Sequence, residues 1–194
     1  MPSTRWTWRR PSSCWAAVTE LLVLCTGNAA RSVMAGFMLE HLNQSSGHLD
    51  LHIVTAGTHT IDGQPMGLRT RTALLTIPEL AGAAATFSRH RSRQVYERDF
   101  LLAELVVVME ADHVRFVRRQ FPDAADRTGV IRRLCQDLAP APPSLAERVA
   151  NVKLADAQLS DADDVTDPAG HDADVYAACV AELWGLCRRL VTLL

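Results

Sequence analysis

The sequence predicts an α/β fold: a three-layer α/β/α domain around a central four-stranded parallel sheet. Two observations carry this reading. Runs of strand character alternate with segments of helical periodicity through short turns, which is the pattern of a parallel sheet with right-handed crossovers. The most β-branched run, Leu105-Val-Val-Val-Met109, lacks polar alternation, as a strand buried on both faces should.

Each element follows from local pattern. Leu21–Leu24, an apolar run after Glu20, reads as the first strand, and Ser32–Leu42 sets Met34, Phe37, Met38 and Leu42 on one helical stripe. A second strand is predicted over Leu49–Thr55, closed by Ala56-Gly57. The turn-rich Asp62-Gly-Gln-Pro65 introduces a helix over Leu68–Leu75. Residues 78–90 are alanine-rich and carry no clear period. A helix over Tyr96–Glu104 leads into the strand Leu105–Met109, expected at the sheet's centre, and Asp112–Phe121 reads as a helix opened by an acidic residue. Val130–Leu134 is the expected fourth strand, and Ala139-Pro-Ala-Pro-Pro143 a linker into a helix near Ser144. The last element is a long amphipathic helix from about Asp172 to Leu193.

A length of 194 residues supports one core, assigned to residues 20–194. Residues 1–19 read as an N-terminal extension, expected to be poorly ordered: Met1–Arg10 is basic and tryptophan-rich, and no apolar signal-peptide stretch precedes Glu20. No run approaches the roughly 20 apolar residues of a spanning helix. With 48% hydrophobic and 22% charged residues and a formal net charge of -2, nothing draws the chain toward nucleic acid or anionic lipid. Neither partner is expected, the expected state is a monomer or weak dimer, and function must come from a local site.

The cysteines at 14, 25, 135, 179 and 187 form no Cys-x-x-Cys pair and fit a reducing cytoplasm. Cys179 and Cys187 fall eight apart in one helix, roughly 12 Å by helical rise, and read as packing residues. The seven histidines form no ligand cluster in sequence, with His48 and His52 solvated at a strand edge, so no metal and no cofactor are expected.

The chemistry concentrates in Leu24-Cys-Thr-Gly-Asn-Ala-Ala-Arg-Ser32, where a strand gives way to a helix. In open parallel sheets ligands bind beyond the carboxyl ends of strands, and Cys25 stands at such an end. The N–H groups of Thr26, Gly27, Asn28, Ala29 and Ala30 can cradle a dianion, with the positive helix end at Ser32 beside them. Arg31 can grip two phosphate oxygens bidentately, and the same positive field favours Cys25 as the attacking thiolate. Gly27 permits a positive φ and Asn28 tolerates a left-handed one. Ser32 can donate to the sulfur or cap the helix.

Cys25-Thr-Gly-Asn-Ala-Ala-Arg-Ser32 resembles the phosphate-binding loop of the low-molecular-weight protein tyrosine phosphatase family, with its C-x-G-N-x-C-R-S pattern. The similarity extends over Ala56-Gly-Thr-His59, Asp62-Gly-Gln-Pro-Met66, Ser92-Arg-Gln94, Met109-Glu-Ala-Asp112 and Asp167-Pro168. It implies the phosphotyrosine protein phosphatase I-like fold, hydrolysis of phosphotyrosine proteins or small aryl phosphates through a phosphocysteine on Cys25, and Asp167 as general acid. The residues alone leave five aspartates open in the segment 160–172, at 161, 163, 164, 167 and 172. A carboxylic acid there would protonate the departing oxygen and then activate water.

Four positions depart from the family pattern. Ala30 replaces a second loop cysteine, Val33 replaces a proline, and Ala169-Gly170 replaces aromatic residues that wall the substrate ring, for which His59 and Ile61 are poor substitutes. One alternative is an arsenate reductase, which shares the fold. It needs further cysteines after the central strand, where Met109–Phe116 has none and only Cys135 lies near, so it would depend on an external thiol. The other alternative is a non-catalytic phosphate-binding relative, which would have no use for the nucleophile or the acid.

Overall fold

The computed structural model describes residues 18–47, 50–142 and 144–194. Residues 1–17, with Cys14 and nearly all of the predicted extension, lie outside the described residues, as do His48, Leu49 and Pro143. Described structure begins within the predicted extension, for the first strand starts at Thr19.

Four parallel strands form one sheet: β1 Thr19–Cys25, β2 Leu51–Gly57, β3 Leu105–Val108 and β4 Thr128–Val130, in the order β2-β1-β3-β4. The register pairs Cys25 with Gly57 and Leu24 with Val108. Chain order reverses between β1 and β3, so the crevice at their carboxyl ends is the topological switch point where such sheets bind ligands.

Strand residues alternate between two cores. Leu21, Val23, Cys25, Leu105 and Val107 face one core, shared with α1 (Arg31–Ser46), α2 (Leu68–Leu74), α6 (Ile131–Asp137), α7 (Leu145–Val152) and α8 (Ala173–Val191). Leu22, Leu24, Val106 and Val108 face the other, closed by Phe100 of α4 (Glu97–Leu102) and by Val114 and Val117 of α5 (Ala111–Gln120). A sheet covered on both faces explains why its strands read as unbroken apolar runs. The stretch 78–90 folds as a 3-10 turn over Pro78–Ala83 and the short helix α3, Ala84–Phe87. Among the described residues no helix is long and apolar enough to cross a membrane.

The predicted fourth strand is misplaced. β4 ends at Val130, and the residues assigned to it begin α6, where Ile131, Leu134 and Cys135 face the core. Their i, i+3, i+4 spacing is a helical stripe, and three strand residues suffice because β4 pairs only with Val106–Val108 of β3. Residues 139–142 of the predicted linker form no helix or strand, and the last two helices fall where predicted. Ser144 caps α7 by accepting from the Glu147 amide, and Arg148 of α7 donates to the carbonyls of Leu193 and Leu194, which fixes the end of the chain.

Candidate active site

Between β1 and α1 the chain makes a loop whose carbonyls are all occupied, those of residues 25–29 by groups from other segments and that of Ala30 by the first helical bond of α1. Cys25 O accepts from Thr58 N at 2.9 Å, Thr26 O from His59 N at 2.9 Å and Gly27 O from Thr60 Oγ1 at 2.7 Å. Asn28 O accepts from His90 Nε2 at 3.0 Å, Ala29 O from Thr70 Oγ1 at 3.0 Å and Ala30 O from Met34 N at 2.8 Å. A peptide N–H points opposite to its carbonyl, so five carbonyls turned outward and a sixth pointing down α1 turn the intervening amides toward a common centre. Such a concavity binds anions, and the N-terminus of the 16-residue α1 adds its dipole.

Asn28 braces the bowl. It adopts φ 47°, the left-handed conformation expected of it; its Nδ2 donates to Ser32 Oγ at 3.1 Å, and its Oδ1 accepts from the Arg93 amide at 3.1 Å. Because Ser32 Oγ already receives the Asn28 amide, its own proton is free for Cys25 Sγ, 3.0 Å away. Cys25 is buried among the residues of the first core, with its sulfur against the Ser32 hydroxyl.

Two expectations for the loop need correction. Gly27 does not take a positive φ; the strained turn is absorbed one residue later, by Asn28. Nor does Ser32 cap α1, because the helix begins at Arg31 and the cap position belongs to Ala30, which makes no side-chain cap bond. The hydroxyl is committed to Cys25 instead.

Arg31 is almost fully buried, with a side chain 2% exposed. Its Nη1 donates to Glu110 Oε2 and, at 3.1 Å, to the Val165 carbonyl, while Nη2 donates to Asp167 Oδ2 at 2.7 Å. Burial acts to lower the guanidinium's pKa, but the hydrogen bond to Glu110 and the charges of Asp167, Glu110 and Cys25 outweigh it and raise it. Arg31 and Asp167 thus meet at the bowl although 136 residues separate them.

The segment carrying Asp167 is pinned to the end of β3. Val165 N donates to Met109 O at 2.8 Å, and Asp164 Oδ1 accepts from the Ala111 amide at 2.6 Å, capping α5 from a distance. Of the five aspartates open in the sequence, only 167 meets Arg31. It is 44% exposed, so its carboxyl faces the opening. Past it, Ala169 and Gly170 supply no ring, and Gly170 sits at φ 79°, where a side chain would be strained.

Sequence reasoning missed Glu110 and His113. His113, in the first turn of α5, is buried, with Nε2 3.0 Å from Thr26 Oγ1 and 3.2 Å from Glu110 Oε1. Burial, and then the nearby Arg31 charge, lower its pKa to about 3, so the ring is neutral. Glu110 lies in a quoted motif, yet no spacing rule announces that it will reach a loop 79 residues earlier. Cys135, the one thiol considered for a reductase, is buried in α6 against the Leu186 carbonyl at 3.3 Å, and burial pushes its pKa up to about 11.

Comparison with known proteins gives a consistent picture. The family model described as low molecular weight phosphotyrosine protein phosphatase matches residues 20–141. The chain is 27% identical over 172 residues to the protein-arginine-phosphatase of Geobacillus stearothermophilus, covering 88% of this chain and 93% of that protein. Its fold matches the YwlE arginine phosphatase structure from the same organism at TM-score 0.64 and 25% identity, over 89% of this chain and 90% of that one. It matches a low molecular weight protein tyrosine phosphatase from T. tengcongensis at TM-score 0.67 and 25% identity, over 89% and 97%.

Proposed function

Because the chain belongs to the low molecular weight phosphotyrosine protein phosphatase family, we propose that it hydrolyses phosphotyrosine and other aryl phosphate monoesters through a phosphocysteine. The observation that carries the proposal is the convergence of Cys25, Arg31 and Asp167 on one amide-lined bowl.

In this reading the phosphate sits on the amides of Thr26 to Ser32, and Arg31 shifts part of its fork from Asp167 to the phosphate oxygens. Cys25 Sγ attacks phosphorus in line. The bond from phosphorus to the aryl oxygen breaks, and Asp167 hands that oxygen a proton. Asp167 then takes a proton from water as the water attacks phosphorus, and the S–P bond breaks to release phosphate. The amides and Arg31 stabilise the equatorial oxygens in both steps. The Ser32 hydroxyl stabilises the thiolate when it departs.

A second reading is favoured by a specific observation. The bowl lacks a ring wall at Ala169-Gly170 while Asp167, half exposed, stands at its mouth. A carboxylate beside an open mouth suits a cationic guanidinium leaving group better than a flat phenol, and one similar protein is an arginine phosphatase. Cleavage would then break a P–N bond, with the proton going to nitrogen.

Aryl phosphate hydrolysis, measured without added metal in wild type, Cys25→Ser and Asp167→Asn, tests the mechanism. The serine variant should lose turnover almost completely, and the asparagine variant should fall about 10²-fold or more in kcat. Equal activity in all three would rule the mechanism out. Relative kcat/KM for phosphotyrosine and phosphoarginine peptides then decides between the two leaving groups.

A further inference from the structure

We propose that His113 is a positioning residue for phosphate binding: its Nε2–H holds the Glu110 carboxylate that aims Arg31, and ties the same carboxylate to Thr26 at the start of the loop. The inference rests on the phosphatase reading of the site. Three contacts carry it. One nitrogen, Nε2, lies 3.2 Å from Glu110 Oε1 and 3.0 Å from Thr26 Oγ1. The other oxygen of that carboxylate, Oε2, accepts from Arg31 Nη1.

The tautomer follows from the partners. A bare ring nitrogen would repel a carboxylate oxygen 3.2 Å away, so the surroundings favour the tautomer with the proton on Nε2, directed at the Thr26 oxygen with the carboxylate beside it. That leaves Nδ1 a bare acceptor, and it is buried without a hydrogen-bond partner. An orphaned polar atom in a buried site is a cost that an apolar side chain of similar volume would avoid. The ring is therefore not explained by packing, and what it gains lies at Nε2.

The consequence is geometric. A carboxylate held at one oxygen can swing about its last torsion, whereas one held at both cannot. With Oε1 against His113 Nε2 and Oε2 accepting from Arg31 Nη1, Glu110 is constrained at both oxygens. The guanidinium plane is then set before phosphate arrives, with Nη2 left to exchange Asp167 for a phosphate oxygen. Thr26 is the residue after the cysteine, so the same ring couples the aim of Arg31 to the start of the loop.

The test compares His113→Leu, which keeps volume and removes the donor, with His113→Gln, whose amide restores one. Inorganic phosphate affinity is read by calorimetry, and KM and kcat are read separately with an aryl phosphate. His113→Leu should bind phosphate about tenfold or more weakly and raise KM more than it lowers kcat, and His113→Gln should recover most of the loss. A folded His113→Leu protein with wild-type phosphate affinity would overturn the proposal, and so would a glutamine variant no better than leucine. Should leucine at this position fail to fold, nitrogen-15 NMR of the wild-type imidazole decides: the Nε2–H tautomer at neutral pH supports the role and the Nδ1–H tautomer refutes it. Phosphate affinity is independent of turnover. A chain that uses this network to bind phosphate yet hydrolyses no phosphate ester would sink the phosphatase reading and leave the positioning role standing.

Discussion

The four thiols among the described residues are all buried and differ in their polar surroundings. Burial pushes Cys135 up to about 11, Cys179 up to about 12 and Cys187 upward as well, so at neutral pH none of them ionises. Cys25 instead faces a serine hydroxyl and a ring of amides. Iodoacetate should therefore label Cys25 among these four, abolish turnover, and do so more slowly when inorganic phosphate fills the bowl; peptide mapping reads the site. Comparable labelling of Cys179 would mean that α8 opens in the native protein. Residues of this kind were legible in the sequence wherever their partners are local. Cys25, Asn28, Arg31 and Ser32 fall within eight positions, and chain connectivity alone brings them together. Asp167 came through a motif. Glu110 and His113 were not singled out, and Asp164 stood as one of five open aspartates, because what makes them part of the site is the meeting of the β1, β3 and 164–167 ends at one edge of the sheet, which no local pattern encodes.

At the scale of elements, the phosphate loop is shaped by its neighbour strand as much as by its own residues. Gly57 ends β2 beside Cys25, and a Cβ there would lie 2.6 Å from the Thr26 carbonyl oxygen, 3.0 Å from Thr60 Cβ and 3.1 Å from the Asn28 amide nitrogen. The first and last of these are loop backbone, so the clash cannot be relieved by a rotamer change. Gly57→Ala should displace the loop, cost about 1–3 kcal/mol of stability, and lower turnover more than the loss of folded protein explains; urea unfolding alongside kinetics separates the two effects. An alanine variant with wild-type kinetics would show that the loop yields without consequence. The strands and helices themselves were largely readable, since period and turn chemistry are local. The exception, β4, failed because Val130 and Ile131 are apolar neighbours across a strand-to-helix boundary, where period is undefined until Leu134 and Cys135 extend the helical stripe.

For the molecule as a whole, the site leaves a mark on acid stability. His113 is packed beneath the loop with Arg31 of α1, Glu110 at the end of β3, Asp112 beside it on α5 and Asp167 from the far segment around it. Its folded pKa of about 3 lies below the ordinary 6.5, the first cause being burial and the second Arg31. Between those values the unfolded chain binds a proton that the folded one refuses, so this group's contribution to stability is complete above pH 6.5 and is lost as pH falls, by up to about 1.4 kcal/mol per pH unit. His90 is shifted downward too, chiefly by burial, and acts with the same sign. Asp164 is shifted upward, first by burial and then by the charges of Glu110, Asp161 and Asp112, against the bond from the Ala111 amide; it acts with the opposite sign, gaining stability as it protonates. Comparing wild type with His113→Gln isolates the imidazole, because the other groups are common to both. From pH 7 to pH 5 the wild type should lose about 2 kcal/mol more than the variant, read from urea midpoints at constant slope. The variant should be the relatively acid-resistant protein. Parallel stability profiles for the two would mean that the ring admits a proton in the folded state, with an imidazolium tolerated next to the buried guanidinium. In that case the guanidinium would share its partners, Glu110 and Asp167, with a second cation.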